Sequence, residues 1–150
     1  MKKKHSSRTI GFKAIPFCFF LFLSLGSFAQ CDTTASICGR VMGDKFISDG
    51  QEYRALLIST EVAEFRNIFY GGSTYRLVAG SGAAAASIVI RILDKDRNIL
   101  YNSADFNNPQ YWDFKFNSTL NCTIEAQLAA PPGGGKPASG CAVLLIGFKN

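Results

Sequence analysis

From residue 52 onward, apolar and polar side chains alternate with a period of two, interrupted by clusters of glycine, proline and asparagine. The segments 52–58 and 62–69 alternate imperfectly, and 74–79 sets Tyr75, Leu77 and Ala79 against Thr74 and Arg76. Over 87–94, Ile88, Ile90 and Ile92 share one face, with Ser87 and Arg91 on the other. A short strand over 98–102 follows the turn "DKDR". In 122–128, Cys122, Ile124, Ala126 and Leu128 oppose Thr123, Glu125 and Gln127, whereas 141–148 is apolar on both faces, as a central strand is. With 111–116 these make about eight strands without helical segments between them, the pattern of an all-β antiparallel sandwich.

The stretch "YWDFKF" (111–116) puts Trp112, Phe114 and Phe116 on one face and Tyr111, Asp113 and Lys115 on the other. Three rings opposite Asp and Lys read as sandwich core, so Trp112 is expected to be almost fully buried. Any ligand surface then falls to the loops or the Tyr111 face. Ahead of the strands, Ile37, Cys38, Val41, Met42 and Phe46 recur at helical spacing, and Thr34 or Ser36 is placed to cap. A short helix over about 34–46 is expected, weakened by Gly39 and Gly43 at about 1 kcal/mol each. "SDGQ" (48–51) reads as a turn, and the loops 80–86, 102–110 and 131–140 separate strands.

The first 29 residues read as a signal peptide. Five cations (Lys2, Lys3, Lys4, Arg8, Lys13) precede the apolar run 14–28, and Ser27 and Ala29 occupy the −3 and −1 positions of a cleavage site. The apolar run is shorter than the roughly 20 residues of a membrane span. Gln30 before Cys31 argues against lipid attachment. The chain thus divides into a signal peptide (1–29), an N-terminal segment (30–51) and a sandwich domain (52–150). Export to the periplasm or beyond is expected, with no stable membrane span after cleavage.

Cleavage removes five of the 16 basic residues and none of the 11 acidic ones, leaving the mature chain with no net formal charge. The basic balance therefore belongs to the leader, and no electrostatic footprint for nucleic acid remains. Cleavage also removes His5, the one histidine. Ser–His–Asp and Cys–His catalysis and histidine-ligated metals are excluded with it.

Four cysteines remain: Cys31, Cys38, Cys122 and Cys141. An even number in an exported chain predicts two disulfides. If 122–128 and 141–148 formed a hairpin, the starts of the two strands would lie about 20 Å apart. That exceeds the roughly 7 Å a bridge allows. Cys122–Cys141 is then disfavoured, and the pairings that tie the N-terminal segment to the C-terminal strands are preferred, with Cys31–Cys38 the main rival.

Asp94, Asp96 and Asn98 alternate as in the start of a calcium loop, but Ile99 and Asp105 stand where such a loop needs glycine and glutamate. A hairpin turn is the simpler reading. "PPGGGKP" has proline after its lysine, which breaks the phosphate-loop pattern. Glu61 and Glu64 fall on opposite faces of a strand, so they make no glycosidase pair. The sequons "NST" and "NCT" read as turn and strand starts. No cofactor is expected.

Taken in order, "FYGGSTYRLVAGSG", "SIVIRILDKDRNILYNS", "YWDFKF", "CTIEAQL" and "GCAVLLIGF" resemble the strand pattern of bacterial pre-peptidase C-terminal domains and, more distantly, GOLD-type modules. The pattern is also similar to that of small exported bacterial proteins without an assigned function. The resemblance covers roughly 52–148. It implies a jelly-roll-like sandwich with a non-catalytic binding or structural role, toward an envelope protein, a surface polymer or a secreted enzyme. The alternative is a small hydrolase working through carboxylates such as Asp94, Asp96 and Asp113, which requires them in one cleft.

Overall fold

The computed structural model describes residues 26–83, 86–129 and 136–149. Most of the expected signal peptide, and the 131–135 part of the Gly/Pro-rich loop, lie outside the described residues. One helix, α1 (Gly26–Met42), precedes eight strands: β1 (Ile47–Ile58), β2 (Val62–Phe69), β3 (Thr74–Ser81), β4 (Ile88–Leu93), β5 (Ile99–Asn102), β6 (Tyr111–Lys115), β7 (Leu120–Leu128) and β8 (Ser139–Lys149). A short 3-10 turn, Ser103–Phe106, sits between β5 and β6. The strands form two four-stranded antiparallel sheets, ordered β1-β8-β3-β6 and β2-β7-β4-β5. Among the described residues the fold is mainly β, an antiparallel sandwich carrying one helix.

Successive strands mostly change sheet, and this separates β7 from β8. The hairpin assumed for 122–128 and 141–148 does not exist; these strands face each other across the core. Alternation decides what enters that core. Tyr75, Leu77 and Ala79 of β3 and Ala142, Leu144 and Ile146 of β8 meet Ile88, Ile90 and Ile92 of β4 and Ile124, Ala126 and Leu128 of β7. Phe69 is fully enclosed, with its ring edge-on to Tyr75 and Phe114 at centroid distances of 4.9 and 5.1 Å.

The odd-numbered side chains of β8 point the other way. Cys141, Val143 and Leu145 are buried with Val78 against Cys31, Ala35, Cys38 and Met42 of α1. Those four helix positions recur at spacings of four, three and four, which makes one apolar stripe. β8 is therefore covered on both faces, which is why its sequence lacks alternation.

The helix begins earlier and ends earlier than the 34–46 expectation. It stops at Met42 because Gly43 takes a φ of 72°, the left-handed conformation that closes many helices. Phe46 lies beyond the helix yet returns to the same apolar layer. The supposed turn 48–51 lies inside β1, as an irregularity between Ser48 and Glu52 with Gly50 at φ 82°. The 51/52 boundary thus falls within a strand.

Two glycines set how closely α1 approaches the sheet. A Cβ on Gly80 would stand 2.6 Å from Cys38 Sγ and 3.0 Å from Thr34 Cγ2, and one on Gly147 would stand 2.5 Å from Met42 Sδ. Gly80→Ala is expected to cost about 1–3 kcal/mol through overpacking. Chemical denaturation would measure it, and Cys38→Ala in the same chain should return part of the loss.

Cys31 and Cys141 are joined by a disulfide with Cα atoms 5.4 Å apart, 110 residues apart in sequence. The expectation of two bridges is corrected, because Cys38 and Cys122 are both buried thiols. Cys38 lies in the helix layer and Cys122 in the inter-sheet core, so the sheet itself stands between them. Burial pushes the Cys38 thiol up to about 11, and raises Cys122 as well, with the Asp94 carboxylate adding to the effect. In denaturant residues 30–150 are expected to titrate two thiols, and the same chain folded none. Removing the bridge through Cys31→Ser should lower stability by about 2–5 kcal/mol. A denatured chain without free thiols would contradict this pairing.

Candidate functional site

β2 is an edge strand, and beside it lies a groove of about 750 Å³ whose walls include Tyr53, Arg66, Asn67, Ile68, Tyr70 and Lys95. Two turns form its mouth. The first, 70–73, carries Tyr70 with 61% of its surface exposed. It is pinned by three backbone donors: Tyr70 N to Tyr75 Oη (2.8 Å), Gly71 N to Thr119 Oγ1 (3.2 Å) and Gly72 N to Phe116 O (3.0 Å). A Cβ at Gly71 would stand 2.9 Å from the backbone of Ser118, so the turn packs tightly on its neighbour.

The second turn is 94–98. The Asp94 carboxylate accepts from Asp96 N (2.9 Å), Asn98 N (2.8 Å) and Asn98 Nδ2 (2.8 Å). These hydrogen bonds, the Asn98 side chain first, hold the Asp94 carboxyl below its usual range. Asp94 and Asn98 thus bond to each other, the Asx-turn arrangement. Among the described residues no three acidic or cysteine side chains gather to hold a metal ion.

Arg97 in the same turn adopts φ 65° and spreads its guanidinium over the outer face of the second sheet. It reaches Glu64 (2.9 Å) and Glu125 (2.6 Å), and Glu125 also takes Arg91 Nε (3.1 Å). Glu64 and Glu125 are direct cross-strand neighbours, an arrangement that repels without a cation between them. Glu125 is only 7% exposed, so its two arginines are required rather than ornamental. The remaining groove cations are freer. Arg66 makes no ion pair among the described residues, and Lys95 comes only within 4.0 Å of Asp96.

Asp113 is far from this groove, on the outer face of the other sheet. Arg76 of the neighbouring strand grips it with Nε and Nη2 at 2.7 and 2.8 Å. The same guanidinium donates to Met42 O at the end of α1 (3.2 Å) and lies 4.3 Å from the ring centroids of both Phe46 and Tyr111. The carboxylates Asp94, Asp96 and Asp113 therefore share no cleft.

"YWDFKF" divides as its alternation requires, but not to the expected depth. Trp112, Phe114 and Phe116 pack against the core while remaining half-exposed, because β6 is an edge strand. Near-complete burial of Trp112 is corrected on that ground. Its ring lies 4.7 Å from Tyr101, and its buried Nε1 has no hydrogen-bond partner among the described residues.

The described parts of the chain define a class: a two-sheet antiparallel sandwich whose outer face is clamped by a helix. No family model matches the chain, and no curated protein matches it. Among solved structures it is similar to Aeromonas hydrophila PliG, a periplasmic lysozyme inhibitor of g-type lysozyme, with a TM-score of 0.51 and 7% sequence identity. The match covers 66% of this chain and 85% of that one. At that identity the likeness concerns the fold. The resemblance to pre-peptidase C-terminal and GOLD-type modules is thus supported at the level of a β-sandwich and not of those families.

Sequence patterning singled out Asp94, Asp96 and Asn98 but passed over Arg66, Tyr70 and Arg97. Their roles come from an edge position and two turns. The one available signal was the charge alternation of Glu64 and Arg66 around Phe65.

The Arg76 guanidinium, by hydrogen bonding first and charge second, lowers the Asp113 pKa. A carboxyl depressed in the folded state adds stability above its unfolded pKa, about 3.9, and that contribution disappears as pH falls through the folded value. Asp113→Asn should therefore flatten the acid limb of a plot of urea midpoint against pH below about 4. An unchanged limb would show that the pair contributes nothing.

Proposed function

We propose that this chain is an exported, non-catalytic module that binds a protein partner, and that the partner is a muramidase of the lysozyme kind. The observation that carries the reading is the state of the charged groups. Asp113 is held by Arg76, Asp94 by its own turn and Glu125 by two arginines, whereas Arg66 and Tyr70 stand open at one rim and Lys95 there has only Asp96, at 4.0 Å. Acids engaged in internal pairs are poorly placed for proton transfer. A preorganised rim of one phenol and two cations suits an acidic cleft, because little ordering is lost on docking. Glycosidases work through paired carboxylates in such clefts. The fold shared with a periplasmic lysozyme inhibitor supports the same partner class and an extracytoplasmic location.

The test uses residues 30–150 in a cell-wall turbidity assay with a g-type lysozyme, alongside a direct binding measurement. Inhibition is expected, weakened about tenfold or more by Tyr70→Ala and by Lys95→Glu, the range of an interface anchor. Absence of both inhibition and binding for the unaltered chain would overturn the muramidase reading. Inhibition indifferent to both substitutions would remove the site from this rim.

A further inference from the structure

The sandwich has four edge strands, and they are unequally protected. β1 is broken by its irregularity between Ser48 and Glu52, β5 has four residues and a register shift, and β6 has five residues. β2 has eight residues in unbroken register with β7 and contains neither proline nor lysine. An eight-residue edge in unbroken register is a template for a further strand.

The free hydrogen-bonding groups on that edge can be assigned. Ala129 N donates to Ser87 O, so the odd residues leading out of β7 face β4 and its even residues face β2. Through the register Ala63↔Ala126, Phe65↔Ile124 and Asn67↔Cys122, the odd residues of β2 bond to β7. The even ones, Val62, Glu64, Arg66 and Ile68, present N–H and C=O outward. Ile68 N points away from β7 as well, donating to the Asn67 side chain (2.7 Å), a local bond that a strand paired along this edge would replace.

We infer that β2 pairs antiparallel with β2 of a second copy of this chain, about a two-fold axis at Phe65. In that register Glu64 lies opposite Arg66 of the other copy, Arg66 opposite its Glu64, Val62 opposite its Ile68 and Ile68 opposite its Val62. Every outward pair is complementary, and all are hydrogen-bonded pairs, as the free groups demand. Moving the axis one residue either way sets Glu64 on Glu64 or Arg66 on Arg66. The arrangement gives Arg66 the carboxylate it lacks among the described residues, and gives Val62 and Ile68, 42% and 45% exposed, an apolar partner each. The two second sheets become one eight-stranded sheet. Tyr70 and Lys95 lie outside the paired stretch 62–68. Arg66 belongs to both surfaces, so in the dimer the rim keeps Tyr70 and Lys95 while Arg66 goes to the pairing, which sedimentation tests without any muramidase present.

Sedimentation velocity of residues 30–150 over a range of concentrations is the test. The unaltered chain is expected to pass from one chain mass to two as concentration rises. Arg66→Glu, which breaks no internal ion pair, should hold it at one chain mass, as should Glu64→Arg. Mixing R66E with E64R sets the two acidic positions of one chain against the two basic positions of the other, and should restore the dimer mass. Circular dichroism establishes that each variant is folded. A monomer at all concentrations, an R66E chain that dimerises like its parent, or folded variants that fail to recover on mixing would each overturn the pairing.

Discussion

The seating of α1 on the outer face of β8 and β3 is the contact on which the rest of the architecture depends. An antiparallel sheet ordinarily leaves one face to water. Here that face carries Val78, Cys141, Val143 and Leu145, and burying them requires an apolar stripe of matching length. Cys31, Ala35, Cys38 and Met42 supply it, Gly80 and Gly147 let the helix come close, and the Cys31–Cys141 bridge joins helix to strand. A bridge closing so long a loop acts chiefly by restricting the unfolded chain. The central strand β8 is then enclosed on both sides, and the inter-sheet core is built against a fixed wall.

Arg76 closes the other end of the same clamp. It accepts the charge of Asp113, satisfies the last carbonyl of the helix and covers the rings of Phe46 and Tyr111. The second sheet has a comparable device in Arg97, which reaches from a turn across two strands to separate Glu64 from Glu125. Both arginines use the planar, multi-donor geometry that a lysine lacks. Their effect on function is indirect. They engage Asp113, Glu64 and Glu125 in structure, while Arg66 of the groove pairs with no carboxylate among the described residues.

Much of the sandwich could be read from alternation alone. Eight strands were legible because a half-buried strand must alternate, and the inward faces of β3, β4 and β7 followed from it. Other features were not legible, for a common reason. Alternation says which side chains share a face but not which strands are neighbours, so it cannot distinguish a β7–β8 hairpin from the observed placement of the two strands in opposite sheets. The second bridge expected from an even cysteine count does not form, since Cys38 and Cys122 lie on opposite sides of a sheet. The depth of Trp112 depended on β6 being an edge, and the groove depended on two turns meeting beside β2. None of these is a local property.

A mainly β fold was determined by the sequence itself, because a half-buried strand leaves a short-range period of two; the expectations of export and of a mature chain without histidine rest on residue type in the first 29 positions. Strand order, the single bridge, the engagement of the carboxylates and the open edge of β2 were decided only by the tertiary structure. Each of those depends on which segments, distant along the chain, come within hydrogen-bonding or van der Waals reach, and non-local pairing leaves no periodic mark in a sequence.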